Sequence, residues 1–194
     1  MAATRRRING APQLILELGT QGSEVDVELD AVIEVPTGSR NKYEMDHESG
    51  RIRLDRTLFT ATAYPADYGF LPDTLALDGD PLDVLVLVAQ ATFPGCQITV
   101  RPVALFSMDD EHGPDAKILC VPARDPRQDD IQDLGDVGKH LLSEISHFFD
   151  VYKMLEPGKS SQVGGWQDRA TAQEVIAAAH ERFHARSAAA HGVS

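Results

Sequence analysis

The apolar residues of this chain change their spacing once along the sequence. Up to about residue 121 they form short runs or alternate with polar residues, as in strands, and turn residues separate these runs. After residue 137 they recur every three or four positions, which is typical of amphipathic helices. Several short strands followed by helices predict a mainly β domain of the α+β class, with two helices laid against a small barrel.

The expected strands are residues 25–35, 42–45, 51–54, 82–88, 98–108 and 118–121. The second and third are joined at Glu48-Ser49-Gly50, where the glycine can adopt positive φ, so they predict a hairpin. A first helix is expected over residues 137–155, ending before Pro157-Gly158. Thr171 and Glu174 have the spacing of a capping box, which predicts the start of a second helix.

The length of 194 residues is sufficient for one domain with its own core. We assign that domain to residues 25–186. Residues 1–24 carry little pattern and several glycine and proline breakers, which predicts a flexible extension, and residues 187–194 predict a flexible tail. The sequence has no apolar run of membrane-spanning length, and its two cysteines are far apart in sequence. These features favour a cytoplasmic location.

The formal net charge of −12 argues against binding to nucleic acid or to an anionic membrane, because both require a positive field. The acidic residues are concentrated: residues 73–83 and 109–115 contain eight of them and no Lys or Arg. The excess of negative charge is therefore mostly confined to these two segments, and it indicates that they bind divalent cations.

The segment Asp78-Gly-Asp80-Pro-Leu-Asp83 places three carboxylates in six residues. Such groups repel one another unless a cation is present, and hard divalent ions prefer oxygen ligands. The spacing is not that of an EF-hand, and a solvated acidic turn remains the alternative. Asp83 begins an apolar strand, where an unpaired charge is costly, which favours a ligand. In the second cluster Asp115 shares a strand face with Lys117.

The few basic and phenolic residues add a second kind of chemistry. Lys42 and Glu44 lie on one strand face, and Tyr152 belongs to the apolar stripe of the first helix, whereas Lys153 does not. Each residue alone fits a surface ion pair or an ordinary core tyrosine. Together with two carboxylate clusters, these residues suit metal-assisted phosphoryl transfer.

Three segments carry a family resemblance: Tyr64-Pro-Ala-Asp-Tyr68-Gly, Asp78-Gly-Asp-Pro-Leu-Asp83 and Asp110-Glu-His-Gly-Pro-Asp115-Ala-Lys117. They resemble the soluble inorganic pyrophosphatases of family I, of the bacterial type, and the middle segment matches the signature Asp-(Ser/Gly)-Asp-Pro-x-Asp. The resemblance implies a five-stranded OB-like β-barrel flanked by two helices. It also implies magnesium-dependent hydrolysis of diphosphate to two orthophosphates by a metal-activated water.

The resemblance also implies roles for individual carboxylates. Asp78, Asp83 and Asp115 would hold the first magnesium ion, and Asp83 would bridge to the second. Asp110 with Asp115 would take the ion that arrives with substrate, and Glu44 would reach a further ion through water. Manganese or zinc are possible substitutes for magnesium. The implied metal ligands, including one acid at the edge of the site, are Glu34, Glu44, Asp78, Asp83, Asp110 and Asp115.

For the substrate, the resemblance implies that lysine, arginine and tyrosine side chains hold the phosphate oxygens. Asp80 would be the base for the attacking water, with Asp115 as the other candidate. His47 and His112 resemble a subgroup of bacterial enzymes, and relatives of this type are homo-oligomers, typically hexamers. The implied substrate-binding residues are Lys42, Arg56, Tyr68, Lys117, Tyr152 and Lys153.

Two other classes of protein would account for part of this sequence. An acidic OB-like module that binds divalent cations without catalysis explains the carboxylates but not the basic residues Lys42, Arg56 and Lys153. A nucleic-acid-binding OB domain fits the barrel, but the charge of −12 and the lack of a basic stripe oppose it.

Overall fold

The computed structural model describes residues 27–191, so the expected extension over residues 1–24 and the last three residues lie outside the described part. The described residues form strands, two α-helices and two single-turn 3-10 helices. In chain order the strands and α-helices are β1 (Leu29–Val35), β2 (Asn41–Asp46), β3 (Arg51–Thr57), β4 (Asp67–Leu71), β5 (Leu82–Val86), β6 (Gln97–Asp110), β7 (Gly113–Pro122), α1 (Lys139–Val151), β8 (Ser161–Gln167) and α2 (Arg169–His191).

Five strands close into a ring. Their order is β1-β4-β5-β7-β6, and β1 pairs with β6 to complete the circuit. The long strand β6 makes this possible, because residues 97–100 pair with β1 while residues 105–110 pair with β8. The predicted five-stranded OB-like fold is confirmed, with β8 added beside β6 and with β2 and β3 forming a separate hairpin.

The hairpin of β2 and β3 is at its expected position, with Gly50 at φ 65°. Two strands were not predicted. β4 is short and buried along its whole length, so it shows no alternation of apolar and polar residues. β8 contains Gly164 and Gly165 and few apolar residues, so it lacks the composition of a strand.

The first helix is shorter than expected. α1 ends at Val151, inside the expected range of 137–155, and the chain then turns. Leu155 therefore leaves the helical period and is 61% exposed, although its spacing placed it on the apolar face. The same turn buries Lys153, which the helical pattern placed off the buried stripe.

The second helix has a different cap from the one expected. α2 begins at Arg169, and the Asp168 carboxylate accepts hydrogen bonds from Thr171 N at 2.9 Å and Thr171 Oγ1 at 2.7 Å. Thr171 is thus inside the helix, and the capping residue is Asp168. α2 also includes residues 187–191, which the sequence placed in a tail; the alanines there favour helix. No helix in the described range is long and apolar enough to cross a membrane.

Each helix packs on a different set of sheet side chains. Phe148 and Phe149 of α1 join Phe106, Leu85 and Leu119 in one buried cluster. The second cluster contains the neighbouring residues of the same strands, together with α2, and includes Val84, Ile118, Ala172, Ile176 and Ala179. Because side chains alternate along a strand, these clusters occupy opposite faces of the sheet.

Candidate active site

A buried lysine joins two of the predicted metal ligands. β5 and β7 are parallel, and their register places Asp83 beside Lys117. Lys117 is 1% exposed, and its Nζ lies 2.5 Å from Asp83 Oδ2 and 2.8 Å from Asp115 Oδ1. Asp115 precedes Lys117 by two residues and shares its strand face, as expected. One ammonium group thus bonds carboxylates from two adjacent strands.

Tyr68 on β4 contacts the same pair. Its hydroxyl donates to Asp83 Oδ2 at 2.5 Å, and Lys117 Nζ lies 5.4 Å from the centre of its ring. Burial raises the pKa of Tyr68 well above its usual value, and the charges of Asp83 and Asp115 raise it further. Tyr68 is therefore a neutral hydrogen-bond donor at physiological pH.

The charges on β7 depend on one another. Burial opposes the charge of Lys117, but Asp83 and Asp115 outweigh that effect and raise its pKa. Burial also raises the pKa of Asp115, while Lys117 opposes the rise and Asp83 adds to it. A positive charge at this position therefore compensates the carboxylates around it.

A second lysine bonds the other acidic cluster. Lys153 lies two residues after the end of α1 and is 6% exposed. Its Nζ lies 2.9 Å from Asp110 Oδ2 and 3.1 Å from Glu111 Oε2. Burial alone would raise the pKa of Asp110, but the bonds from Lys153 and from the backbone N–H of His112 lower it. Glu111 was not predicted as a site residue, because its position in an acidic turn gave no indication of a partner 42 residues away.

The hairpin supplies the remaining cations. Lys42 and Arg56 are paired in the register of β2 and β3. Arg56 Nε donates to Glu156 Oε1 at 2.9 Å, and Arg56 Nη1 donates to the Asp55 carboxylate. Lys42 Nζ lies 2.5 Å from Glu44 Oε1. Glu156 is buried and was also missed, since it lies 100 residues from Arg56 in the sequence.

Electrostatic interactions link the hairpin to the strand ends. Burial raises the pKa of Tyr152, and the charges of Asp115, Asp83 and Asp110 raise it further. Burial raises the pKa of Glu34 to about 7, although the N–H of Met45 donates to its Oε1 at 2.6 Å. Two hairpin cations act in the opposite direction: Lys42 lowers the pKa of Glu34, and Arg56 lowers that of Tyr152. Hairpin, strand ends and the end of α1 therefore face one region.

Asp78 and Asp80 lie in the connection between β4 and β5 and are exposed. Gly79 adopts φ 98°, which turns the chain between them. Burial raises the pKa of Asp80, and the charges of Asp78 and Asp83 add to this. Among residues 27–191, no hydrogen bond or ion pair engages the Asp80 carboxylate. Asp78 lines one cavity together with Asp83 and Asp115.

His47 and His112 lie at the edge of this region. His47 is exposed and packs edge-on against Phe70, with ring centres 4.9 Å apart. His112 is exposed and its Nε2 lies 3.8 Å from Glu111 Oε1. Neither side chain is buried.

Comparison with known proteins agrees with the geometry. The family described as inorganic pyrophosphatase matches residues 31–184. The inorganic pyrophosphatase of Streptomyces coelicolor is 55% identical over 157 residues, which cover 81% of this chain and 96% of that protein. The chain belongs to the inorganic pyrophosphatase family.

Further relatives include the inorganic pyrophosphatase of Methanosarcina mazei, 57% identical over 78% of this chain and 89% of that protein. The crystal structure of the inorganic pyrophosphatase from Thermus thermophilus superposes with a TM-score of 0.80. It is 50% identical and covers 84% of this chain and 95% of that one. Both the sequence and the fold therefore place the chain in the pyrophosphatase family.

Pyrophosphatases are in general metal-dependent enzymes, and the residues present fit a metal. Within residues 27–191, no three His, Cys, Asp or Glu side chains form a ready-made metal site. The donors are nevertheless carboxylate oxygens, which hard divalent ions prefer. Oxygens of Asp83 and Asp115 already converge on one cation, Lys117 Nζ, at 2.5 to 2.9 Å. These carboxylate oxygens are thus placed to bind a positively charged group.

Proposed function

We propose that this chain hydrolyses inorganic diphosphate to two orthophosphates, with several magnesium ions as cofactor. The observation that carries the proposal is that the carboxylates of Asp83 and Asp115 both bond one cation, Lys117 Nζ. Tyr68 bonds the Asp83 carboxylate as well. Magnesium is favoured because it takes oxygen ligands and is commonly bound through carboxylates and substrate phosphates. Manganese or zinc remain possible substitutes.

The metal ligands in this proposal are the six carboxylates expected from the sequence. Bound ions supply positive charge to a site that would otherwise repel an anion, and they lower the pKa of a water molecule. In the proposal, Asp78, Asp83 and Asp115 hold the first ion. The full set is Glu34, Glu44, Asp78, Asp83, Asp110 and Asp115.

The chain's own cations and phenols would bind the substrate. Arg56 and Lys153 are each held by a carboxylate, so their charged groups are fixed before diphosphate arrives. Such preorganised charges stabilise the negative charge that develops on the leaving phosphate. Tyr152 is neutral and can donate its hydroxyl proton to a phosphate oxygen. Tyr68 is also neutral, but its single hydroxyl proton is donated to Asp83, so it would have to exchange that bond for one to phosphate. Lys42 and Lys117 complete this group.

Asp80 is proposed as the base that removes a proton from the attacking water. Its carboxylate is exposed and has no hydrogen-bonding partner among the described residues, so it is available to accept a proton. Its raised pKa moves it towards the range in which a carboxylate acts as a general base. Asp115 is the other candidate, but both of its oxygens are bonded to Lys117.

We also propose a cytoplasmic homo-oligomer, a hexamer, built from one domain over residues 25–186. Large exposed apolar side chains such as Leu54, Phe59 and Phe93 support contacts between copies, because such groups are stabilised by burial in an interface. Light scattering coupled to size exclusion tests this assembly. A monomer at micromolar concentration would contradict it.

The test of activity is phosphate release from diphosphate by the full chain. We expect release with magnesium and none with excess EDTA, and restoration when magnesium is added back. Calorimetric titration of magnesium without substrate provides a second measurement. Magnesium binding without phosphate release would favour the cation-binding module, and absence of both would remove the proposed function. Retention of nucleic acid by the chain would instead support the OB-type binding domain.

A further inference from the structure

The C-terminal helix bonds the loop that carries Asp78 and Asp80. We call residues 72–81, between β4 and β5, the acidic loop. His180 Nδ1 donates to the carbonyl of Asp73 at 2.8 Å, and Arg182 Nε donates to the carbonyl of Leu75 at 2.8 Å. Arg186 lies one turn further along and donates to the carbonyl of Gly79 at 3.3 Å.

The loop also donates to the helix. The N–H of Leu75 bonds the carbonyl of Ala179 at 3.0 Å, so Leu75 is held through both its donor and its acceptor. Ala179, Arg182 and Arg186 are spaced by three and four residues, which places them on one helix face. A single face of α2 therefore contacts the acidic loop over its length.

Apolar packing fills only part of the space beneath the loop, where Ala76 packs against the buried cluster that contains Ala179. A cavity of about 200 Å³ lies between the loop, α2 and the sheet, and Ala76, Leu82, Met108, Val175 and Ala178 form part of its wall. Side chains on the two sides of a cavity lose contact with one another. Hydrogen bonds at the rim of this cavity therefore hold the loop against the helix.

Bonds within the loop fix its shape but not its position. Ala76 N donates to Asp80 O at 2.7 Å, and Leu82 N donates to Thr74 Oγ1 at 2.8 Å. These bonds join the loop to itself and to the start of β5. The bonds from α2 tie it to an element other than the two strands that it connects. Arg182 also lines the cavity together with Asp78 and Asp83.

We propose that Arg182, supported by Arg186 and His180, is a positioning residue that sets the location of Asp78 and Asp80 and so the affinity of the site for divalent metal. The proposal rests on the proposed function for its link to magnesium. Arg182 touches neither substrate nor metal in this role; it acts through the carbonyl of Leu75. Residues that orient metal ligands in this way commonly change metal affinity by about 10- to 100-fold when replaced.

The decisive variant is Arg182→Gln in the full chain, with Arg127→Gln as the matched control. Arg127 is an exposed arginine whose bonds are to Asp125, and it has no contact with the acidic loop. For Arg182→Gln we expect the magnesium dissociation constant, measured by calorimetry, to rise about 10-fold. The midpoint of magnesium activation should rise in parallel. At saturating magnesium the bound ion holds Asp78, and with it the loop and Asp80, in place, so kcat should stay within about twofold. Arg182→Lys, which keeps a charged donor, should recover part of the affinity.

A second measurement does not depend on activity. In the metal-free protein, hydrogen exchange of residues 72–81 should be faster in Arg182→Gln than in the parent chain, while exchange of α1 stays unchanged. If the parent chain releases no phosphate, the proposed function fails, but exchange and magnesium titration still test the positioning role.

Several outcomes would overturn the positioning role. Unchanged loop exchange would do so, as would unchanged magnesium affinity, or a loss of kcat at saturating magnesium with the same dissociation constant. If Arg182→Gln does not fold, Arg186→Gln carries the same test, because its longer bond is at the exposed end of the loop. It should change exchange and affinity in the same direction by a smaller factor.

Discussion

Asp80 differs from the other carboxylates of the site in its lack of a protein partner within the described chain. Asp83 is bonded to Tyr68 and Lys117, and Asp110 to Lys153. A carboxylate engaged in ion pairs is a weak proton acceptor, because its charge is already compensated. At the scale of single residues, the unpaired Asp80 is thus better suited to act as the base than the ion-paired Asp83 and Asp110.

The first prediction concerns Asp80. Asp80→Asn removes the proposed base while keeping size and polarity, so we expect kcat to fall by about 10²- to 10⁴-fold with an unchanged fold. Steady-state phosphate release and circular dichroism measure the two quantities. Asp73→Asn in the same loop is the control, since asparagine tolerates the positive φ of 57° found there. Near-normal turnover of Asp80→Asn would assign the base elsewhere, with Asp115 the next candidate.

The second prediction concerns the buried partner of Arg56. Glu156→Gln keeps an acceptor but loses the charge that holds Arg56 Nε, so Arg56 is left with its bond to Asp55 and is less ordered before diphosphate binds. Fixing such a side chain costs about 0.5–1.5 kcal/mol, which corresponds to a KM raised roughly 2- to 13-fold with kcat little changed. Kinetics at saturating magnesium measure both constants. The control is Glu144→Gln on the exposed side of α1, and an equal KM for both variants would remove Glu156 from this role.

At the scale of elements, the site depends on how closely the strands approach. Gly69 on β4 pairs with Ile33 on β1, and a Cβ at this glycine would lie 1.9 Å from the carbonyl oxygen of Val32. Backbone atoms cannot yield as a flexible side chain does. Tyr68, the adjacent residue, bonds Asp83, so the separation of these strands also affects the site.

The third prediction follows from that contact. Gly69→Ala should destabilise the fold by at least about 3 kcal/mol, because β1 and β4 must separate. For a chain of this length that is roughly 6–12 °C in Tm, or insoluble expression. Thermal unfolding measures the change. Gly135→Ala is the control, since a Cβ there meets nothing within 4 Å, and an equal Tm for the two variants would contradict the argument.

At the scale of the whole molecule, the closed ring gathers acidic segments that are far apart in the sequence. Eight acidic residues lie in 73–83 and 109–115, out of a total of 30 in the chain. Folding brings these two segments to neighbouring strands, β5 and β7. The native state therefore concentrates negative charge that the unfolded chain keeps apart, and a cation bound there stabilises the native state selectively.

The fourth prediction is a rise in Tm with magnesium. At a concentration about 100 times the dissociation constant, binding to the native state alone adds about 2.7 kcal/mol. That amounts to roughly 5–10 °C for a chain of this size. Differential scanning calorimetry measures the shift against sodium chloride of equal ionic strength. Asp83→Asn should lose most of the response, and an equal shift in sodium chloride would indicate screening instead of a specific site.

The sequence by itself determined the features that depend on residues close to one another along the chain. The β2–β3 hairpin follows from a turn glycine, α1 from its apolar period, and the common strand face of Asp115 and Lys117 from a spacing of two. A cation site in the segment from Asp78 to Asp83 could also be predicted, because three closely spaced carboxylates repel one another unless a cation is present. Each of these features involves residues that are neighbours along the chain.

Only the tertiary structure decided which distant residues became partners. It joined Arg56 to Glu156, buried Lys153 against Asp110, and placed α2 against the acidic loop 107 residues away in the sequence. The buried strand β4 and the glycine-containing β8 likewise have no local pattern and are defined by their neighbours in the sheet. The physical reason is that burial and pairing depend on ring closure, and closure is a property of all five strands together.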